Sequence, residues 1–174
     1  MALVAVLLAT GGAVPIAARP GAAGSANLCR PAERVVYSCN FGRKVSSLCL
    51  GKHSINYRFG PIGRPELDLG NTLDWSNVFT HELYSHALSQ THVRMTKGQV
   101  SYIVYWGETG NLSDVPGRIF SGVTMIEGSN KTVAELPCKR ATKVDWSAFN
   151  DITNSAPAGW VSDEESDGPF DGYF

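Results

Sequence analysis

Four cysteines place the tightest limit on how this chain can fold. Cys29, Cys39, Cys49 and Cys138 all follow an apolar N-terminal run, Met1 to Ala18. That run is too short for a bilayer span, and Gly11, Gly12 and Pro15 interrupt it. Small residues follow from Gly21 to Ala26, and a small-x-small cleavage fits after Ala23 or Ala26. Residues 1–26 therefore read as a signal peptide, although no Lys or Arg precedes the apolar run. An even number of cysteines behind an export signal reads as a disulfide frame. The competing reading is a zinc site. It is disfavoured because no cysteine pair has Cys-x-x-Cys spacing and no histidine stands at a partner spacing.

Four cysteines allow three connectivities, and the local pattern favours one. Arg34 to Cys39 and Lys44 to Cys49 both read as strands. Asn40-Phe41-Gly42-Arg43 can turn the chain between them. Such a hairpin predicts a Cys39–Cys49 bridge and leaves Cys29 for Cys138.

The rest of the chain is punctuated like a β protein. Glycine and proline number 18 and 9, which favours many short elements over a few long helices. Residues 52–59 alternate, with His53, Ile55, Tyr57 and Phe59 on one face. Gly60-Pro61-Ile62-Gly63-Arg64-Pro65 ends that strand, and Glu66 to Leu69 makes a short one. Residues 75–90 fit helical spacing as well as extended spacing, and the β surroundings favour strand. Thr91 to Thr96 and Gln99 to Trp106 form a hairpin around Lys97-Gly98. Val100, Tyr102, Val104 and Trp106 share a face, and the opposite face is also apolar, as in a central strand. Gly107 to Gly117 reads as a loop, Ile119 to Cys138 as a further hairpin, and Asp145 to Asn150 as a short helix. These patterns predict an all-β domain, an antiparallel β-sandwich or small barrel with one short C-terminal helix. The expected domain covers residues 27–152, and residues 153–174 form an acidic, loosely ordered tail.

Val36-Tyr37-Ser38-Cys39, Lys44 to Cys49 and Tyr57-Arg58-Phe59-Gly60 with Pro65-Glu66-Leu67 form a recognisable series. Tyr102 to Tyr105 and Ala134-Glu135-Leu136-Pro137-Cys138 continue it. Across residues 29–152 the chain resembles small exported four-cysteine proteobacterial proteins of unknown function. The resemblance implies an envelope location and the four-cysteine frame, and no activity. A looser likeness of architecture links it to periplasmic lysozyme inhibitors, which share a Tyr-x-Cys opening and a late cysteine. The chain lacks their Ser-Gly signature loop.

Searches for chemistry return little. His81-Glu82-Leu83-Tyr84-Ser85-His86 has one residue too many for the zinc-protease motif. His53 and His92 are single histidines on strand patterns, and Glu66 and Glu108 are carboxylates flanking strand ends. Ser121 lacks the first glycine of a nucleophile elbow. Asp163 to Gly168 does not match a calcium loop and reads as a solvated tail. Asn111-Leu112-Ser113 and Asn130-Lys131-Thr132 have the form of glycosylation sequons, which matter only in a eukaryotic host. No cofactor fingerprint occurs, and none is expected. The net charge of −1 supplies no basic field for nucleic acid, and the mature chain shows no stable membrane span.

The reading that remains is a non-enzymatic binding or inhibitory module of the bacterial envelope, periplasmic or secreted, with an envelope or secreted protein as partner. A structural envelope component is the alternative, followed by a small hydrolase with a dispersed site. Trp75, Tyr84 and Trp106, with the 107–117 loop, are the candidate partner contacts, weighed against a place for these aromatics in the core.

Overall fold

Turn chemistry sets the hairpins, and period-two alternation then decides which faces meet. In the computed structural model, which describes residues 26–128, 131–139, 141–145 and 147–160, the strands fall into two antiparallel sheets. The first sheet holds β1 (Arg34–Phe41), β2 (Lys44–Leu50), β3 (Ile55–Gly60), β4 (Leu67–Gly70) and β10 (Ala141–Val144), in the order β10-β1-β2-β3-β4. The second holds β5 (Val78–Tyr84), β6 (Leu88–Lys97), β7 (Val100–Thr109), β8 (Ile119–Glu127) and β9 (Lys131–Pro137), in sequence order. Each sheet keeps two edges, so the architecture is a sandwich and not a closed barrel. Helix α1 (Ala148–Ser155) follows β10.

The core lies between the sheets. Val36, Tyr37, Leu48, Ile55 and Tyr57 of the first sheet meet Val78, Val93, Met95, Val104, Trp106 and Val123 of the second. Tyr37 stacks on Trp106 with ring centroids 6.5 Å apart, and Tyr57 meets Tyr102 at 5.8 Å. Burial pushes the Tyr57 phenol up to about 12, opposed by the Ser46 hydroxyl beside it. The expected face of Val100, Tyr102, Val104 and Trp106 is the inward one; its last three residues join the core. The helix starts later than the pattern indicates, because Ala148 and Ile152, four residues apart, are the pair it buries. It runs to Ser155, and Trp160 beyond it donates its indole N–H to the Val78 carbonyl at 2.9 Å. Structure beyond the expected boundary at residue 152 thus includes the end of α1 and Trp160. Residues 1–25 and 161–174, with the leader, most of the acidic tail and its Asp163–Gly168 run, lie outside the described residues, as does Asn130.

The cysteines pair differently from the sequence expectation. Cys29 bridges Cys49, and Cys39 bridges Cys138, with Cα–Cα distances of 5.4 and 6.1 Å. The reason is register. Gly42, at φ 81°, places the turn so that Phe41 pairs with Lys44, not around the centre that a Cys39–Cys49 bridge needs. Cys39 then sits opposite Ser46, and Cys49 opposite Val35. The two sulfurs also face opposite sides. Cys39 points into the core and ties the first sheet to the end of β9. Cys49 points outward and holds down the segment before β1.

That segment covers the outer face of the first sheet. The Ser38 hydroxyl donates to the Ala26 carbonyl at 2.8 Å, and the Leu28 N–H donates to the Ser47 hydroxyl at 3.0 Å. Arg58, 1% exposed, lies beneath it and donates to both oxygens of Glu33 at 2.5 and 3.0 Å and to Asp68 at 2.9 Å. A buried guanidinium needs such a full set of acceptors.

Candidate functional site

The strands of the second sheet end at different heights. The β6–β7 pairing runs as far as Leu88 opposite Thr109, and β8 begins at Ile119 opposite Glu108. β9 stops short of that level, because its last pair is Pro137 with Gly122. The chain then crosses to the first sheet, where Ala141 pairs with Cys39. A groove of about 1010 Å³ opens beside the uncovered end of β8.

Its floor depends on two glycines. The rings of Tyr105 and Phe120, 6.4 Å apart, lie across the outer face of the sheet. A Cβ on Gly122 would collide with the Tyr105 hydroxyl and stand 2.7 Å from the Leu136 carbonyl. A Cβ on Gly107 would collide with the Phe120 ring and stand 2.6 Å from the Ser89 carbonyl. Only glycine lets both rings lie this low on the strands. Burial raises the Tyr105 phenol, with the Glu135 charge as the lesser cause.

One wall is the 110–118 loop. The Gly110 N–H donates to the Ala87 carbonyl at 2.7 Å, and the Leu112 N–H donates to the His86 carbonyl at 3.2 Å. The Thr109 hydroxyl donates to the Val115 carbonyl, and the Arg118 N–H donates to the Thr109 hydroxyl oxygen at 2.8 Å. These bonds fix a loop whose apolar side chains face water: Leu112 is 74% exposed, Val115 54% and Ile119, at the start of β8, 68%. The other wall is Pro137, Cys138 and Lys139, anchored to the core by the Cys39–Cys138 bridge. Besides Tyr105, the ionisable groups lining the groove are Asp114, Arg118 and Lys139.

The expected contacts divide. Trp106 is fully buried, and Trp75 is 3% exposed, at φ 58°, packed edge-on against Trp160 at 6.2 Å. Both are core residues and present no surface to a partner. Tyr84 is 71% exposed at the end of β5, its hydroxyl donating to Glu82. The expected 107–117 loop contributes through residues 112–114, although β7 extends to Thr109. Tyr105, Phe120, Ile119 and Lys139 were not singled out by the sequence. Glycines inside two strand patterns, Gly107 and Gly122, were the available signal.

The remaining candidates do not converge. His81 stacks on His92 across β5 and β6 at 5.5 Å, while His86 lies in the turn between those strands. His53 is exposed ahead of β3. Glu66 pairs with Lys44 at 2.6 Å beside the first sheet, whereas Glu108 stands on β7 of the second. Cys29, Cys49 and Glu33 lie within 4.8 Å of one another, but the two sulfurs are joined as a disulfide and Glu33 holds Arg58.

No family model, curated protein or solved structure matches the chain.

Proposed function

We propose that this protein is an exported, non-enzymatic binding or inhibitory module of the bacterial envelope, and that its groove holds an apolar segment of a partner protein. The observation that carries this reading is the pair of exposed apolar side chains, Leu112 and Ile119, that line the groove around a sunken aromatic floor. Exposed apolar residues grouped at one rigid concavity mark an interaction site more often than chance surface. The lining offers contacts and two cations against one anion, with no histidine to act as base. Two disulfides are compatible with an oxidising extracellular compartment, in keeping with the exported resemblance.

The test is capture from an envelope extract on the immobilised oxidised domain, alongside the Leu112→Asp/Ile119→Asp variant. A protein held by the native domain and lost from the folded variant supports the reading. A protein held equally by both rules out the groove as its site. A structural role is the second reading, favoured by β9, an exposed edge strand with Val133 outward. Lys131 and Pro137 blunt that edge. Sedimentation of the purified domain decides it, since a structural component self-associates.

A further inference from the structure

We infer that the partner segment binds as an added strand, taking the line along β8 that β9 leaves at Pro137. The inference rests on the groove reading and names the form of its ligand. Its basis is the hydrogen-bond parity of β8. The Thr109 N–H donates to the Arg118 carbonyl at 3.0 Å while the Thr109 carbonyl accepts from the Gly117 N–H at 2.8 Å, a bulge that turns the Arg118 carbonyl toward β7. Glu108 and Ile119, the next pair, are then a non-bonded one, and their main-chain groups point away from each other. The N–H and C=O of Ile119 therefore face the side where β9 would lie.

β9 does not reach them. Its last contact with β8 is the Cys138 N–H on the Ser121 carbonyl at 2.8 Å, after which the chain leaves for the first sheet. Among the described residues Ile119 has no backbone partner on that side. The groove lies there, running over Ile119, Phe120 and Ser121 and bounded by Lys139. A donor and an acceptor on an open strand edge, set in an apolar groove, match what an extended peptide supplies. A lipid chain or small apolar ligand would fill the groove and leave both groups to water.

The geometry also sets the pattern of the guest. A segment antiparallel to β8 places one residue opposite Ile119, exchanging both main-chain bonds with it. The guest residues on either side of that one share the face of Phe120, over the aromatic floor, and should be apolar. Arg118 and Lys139 against Asp114 favour a carboxylate nearby.

The experiment uses the oxidised mature chain, residues 27–174, and dodecapeptides selected on it from a random phage-displayed library. The selected peptide is resynthesised and titrated. Strand addition predicts that Ile119 amide exchange slows on binding. It also predicts that N-methylation of the peptide residue opposite Ile119 weakens binding about tenfold, since that removes one main-chain bond. Ile119→Pro removes the host donor without costing a β7 bond and should weaken binding similarly, with the fold checked by circular dichroism. A peptide that depends on Leu112 yet leaves Ile119 exchange unchanged and tolerates N-methylation throughout overturns strand addition and spares the groove. Selected peptides that bind Leu112→Asp as well as the native chain overturn the groove reading itself.

Discussion

Removing the two disulfides separately should cost different amounts, in an order set by the loops they close. Cys39–Cys138 spans 99 residues and Cys29–Cys49 spans 20. Chain-entropy arithmetic gives about 4.7 kcal/mol for the longer loop and about 3.3 kcal/mol for the shorter, a difference of about 1.4 kcal/mol. The perturbations are the double variants Cys39→Ala/Cys138→Ala and Cys29→Ala/Cys49→Ala. Guanidinium unfolding followed by tryptophan fluorescence reads the stability loss, and a thiol-reactive dye counts free cysteines. The first variant should be less stable than the second, and neither should show a free thiol. Under either other connectivity, each double variant severs both bridges and strands two cysteines. Two titratable thiols in either folded variant would refute the assigned pairing. Equal or reversed stability losses with no free thiol would refute the loop-closure reasoning.

Other substitutions probe the remaining structure. Arg58→Ala strands the carboxylate of Glu33, which is itself largely buried, and should cost about 3 kcal/mol in chemical unfolding, with part recovered in Glu33→Ala/Arg58→Ala. Burial acts to raise the Glu33 carboxyl, but hydrogen bonds from Arg58 and the Arg30 N–H, with the charges of both arginines, hold it below its ordinary 4.5. A lowered native value contributes stability that is present above pH 4.5 and lost as pH falls through that lowered value. Thermal melts from pH 7 to 3 should show this acid limb, flattened in Glu33→Gln. Gly122→Ala should lift Tyr105 off the sheet, cost about 1–3 kcal/mol and weaken partner retention, as read by melting and capture together. Trp106→Ala should cost about 3–5 kcal/mol, whereas Tyr84→Ala should stay within about 0.5 kcal/mol; the same unfolding assay compares them.

The strands were legible because alternation and turn residues act locally. Residues 55–59 and 100–106 show their inward faces in the sequence itself, whereas His53 falls in the bend before β3, and Lys97-Gly98 lies at the hairpin turn that joins β6 to β7. The disulfide pairing was not legible, because it depends on hairpin register. A Cys39–Cys49 bridge needs a hairpin centred on Lys44; neither a turn over Asn40–Arg43 nor the observed turn at Gly42-Arg43 gives that register, and Cys39 and Cys49 face opposite sides of the sheet. β10 was missed because its four residues carry no pattern of their own and are a strand only by pairing with β1. Trp75 and Trp106 were candidate contacts because exposure cannot be read from an aromatic alone; packing against Trp160 and Tyr37 places both inside. The groove is a consequence of unequal strand ends, a long-range property. Its local traces are Gly107 and Gly122, where the sheet makes room for Phe120 and Tyr105.

The most direct test of the central claim is hydrogen–deuterium exchange of the captured complex against the free domain. The account predicts protection confined to residues 110–121 and 137–139, with Ile119 among the amides slowed most. Protection on the outer face of the first sheet, or along β9 with residues 110–121 unchanged, would contradict it.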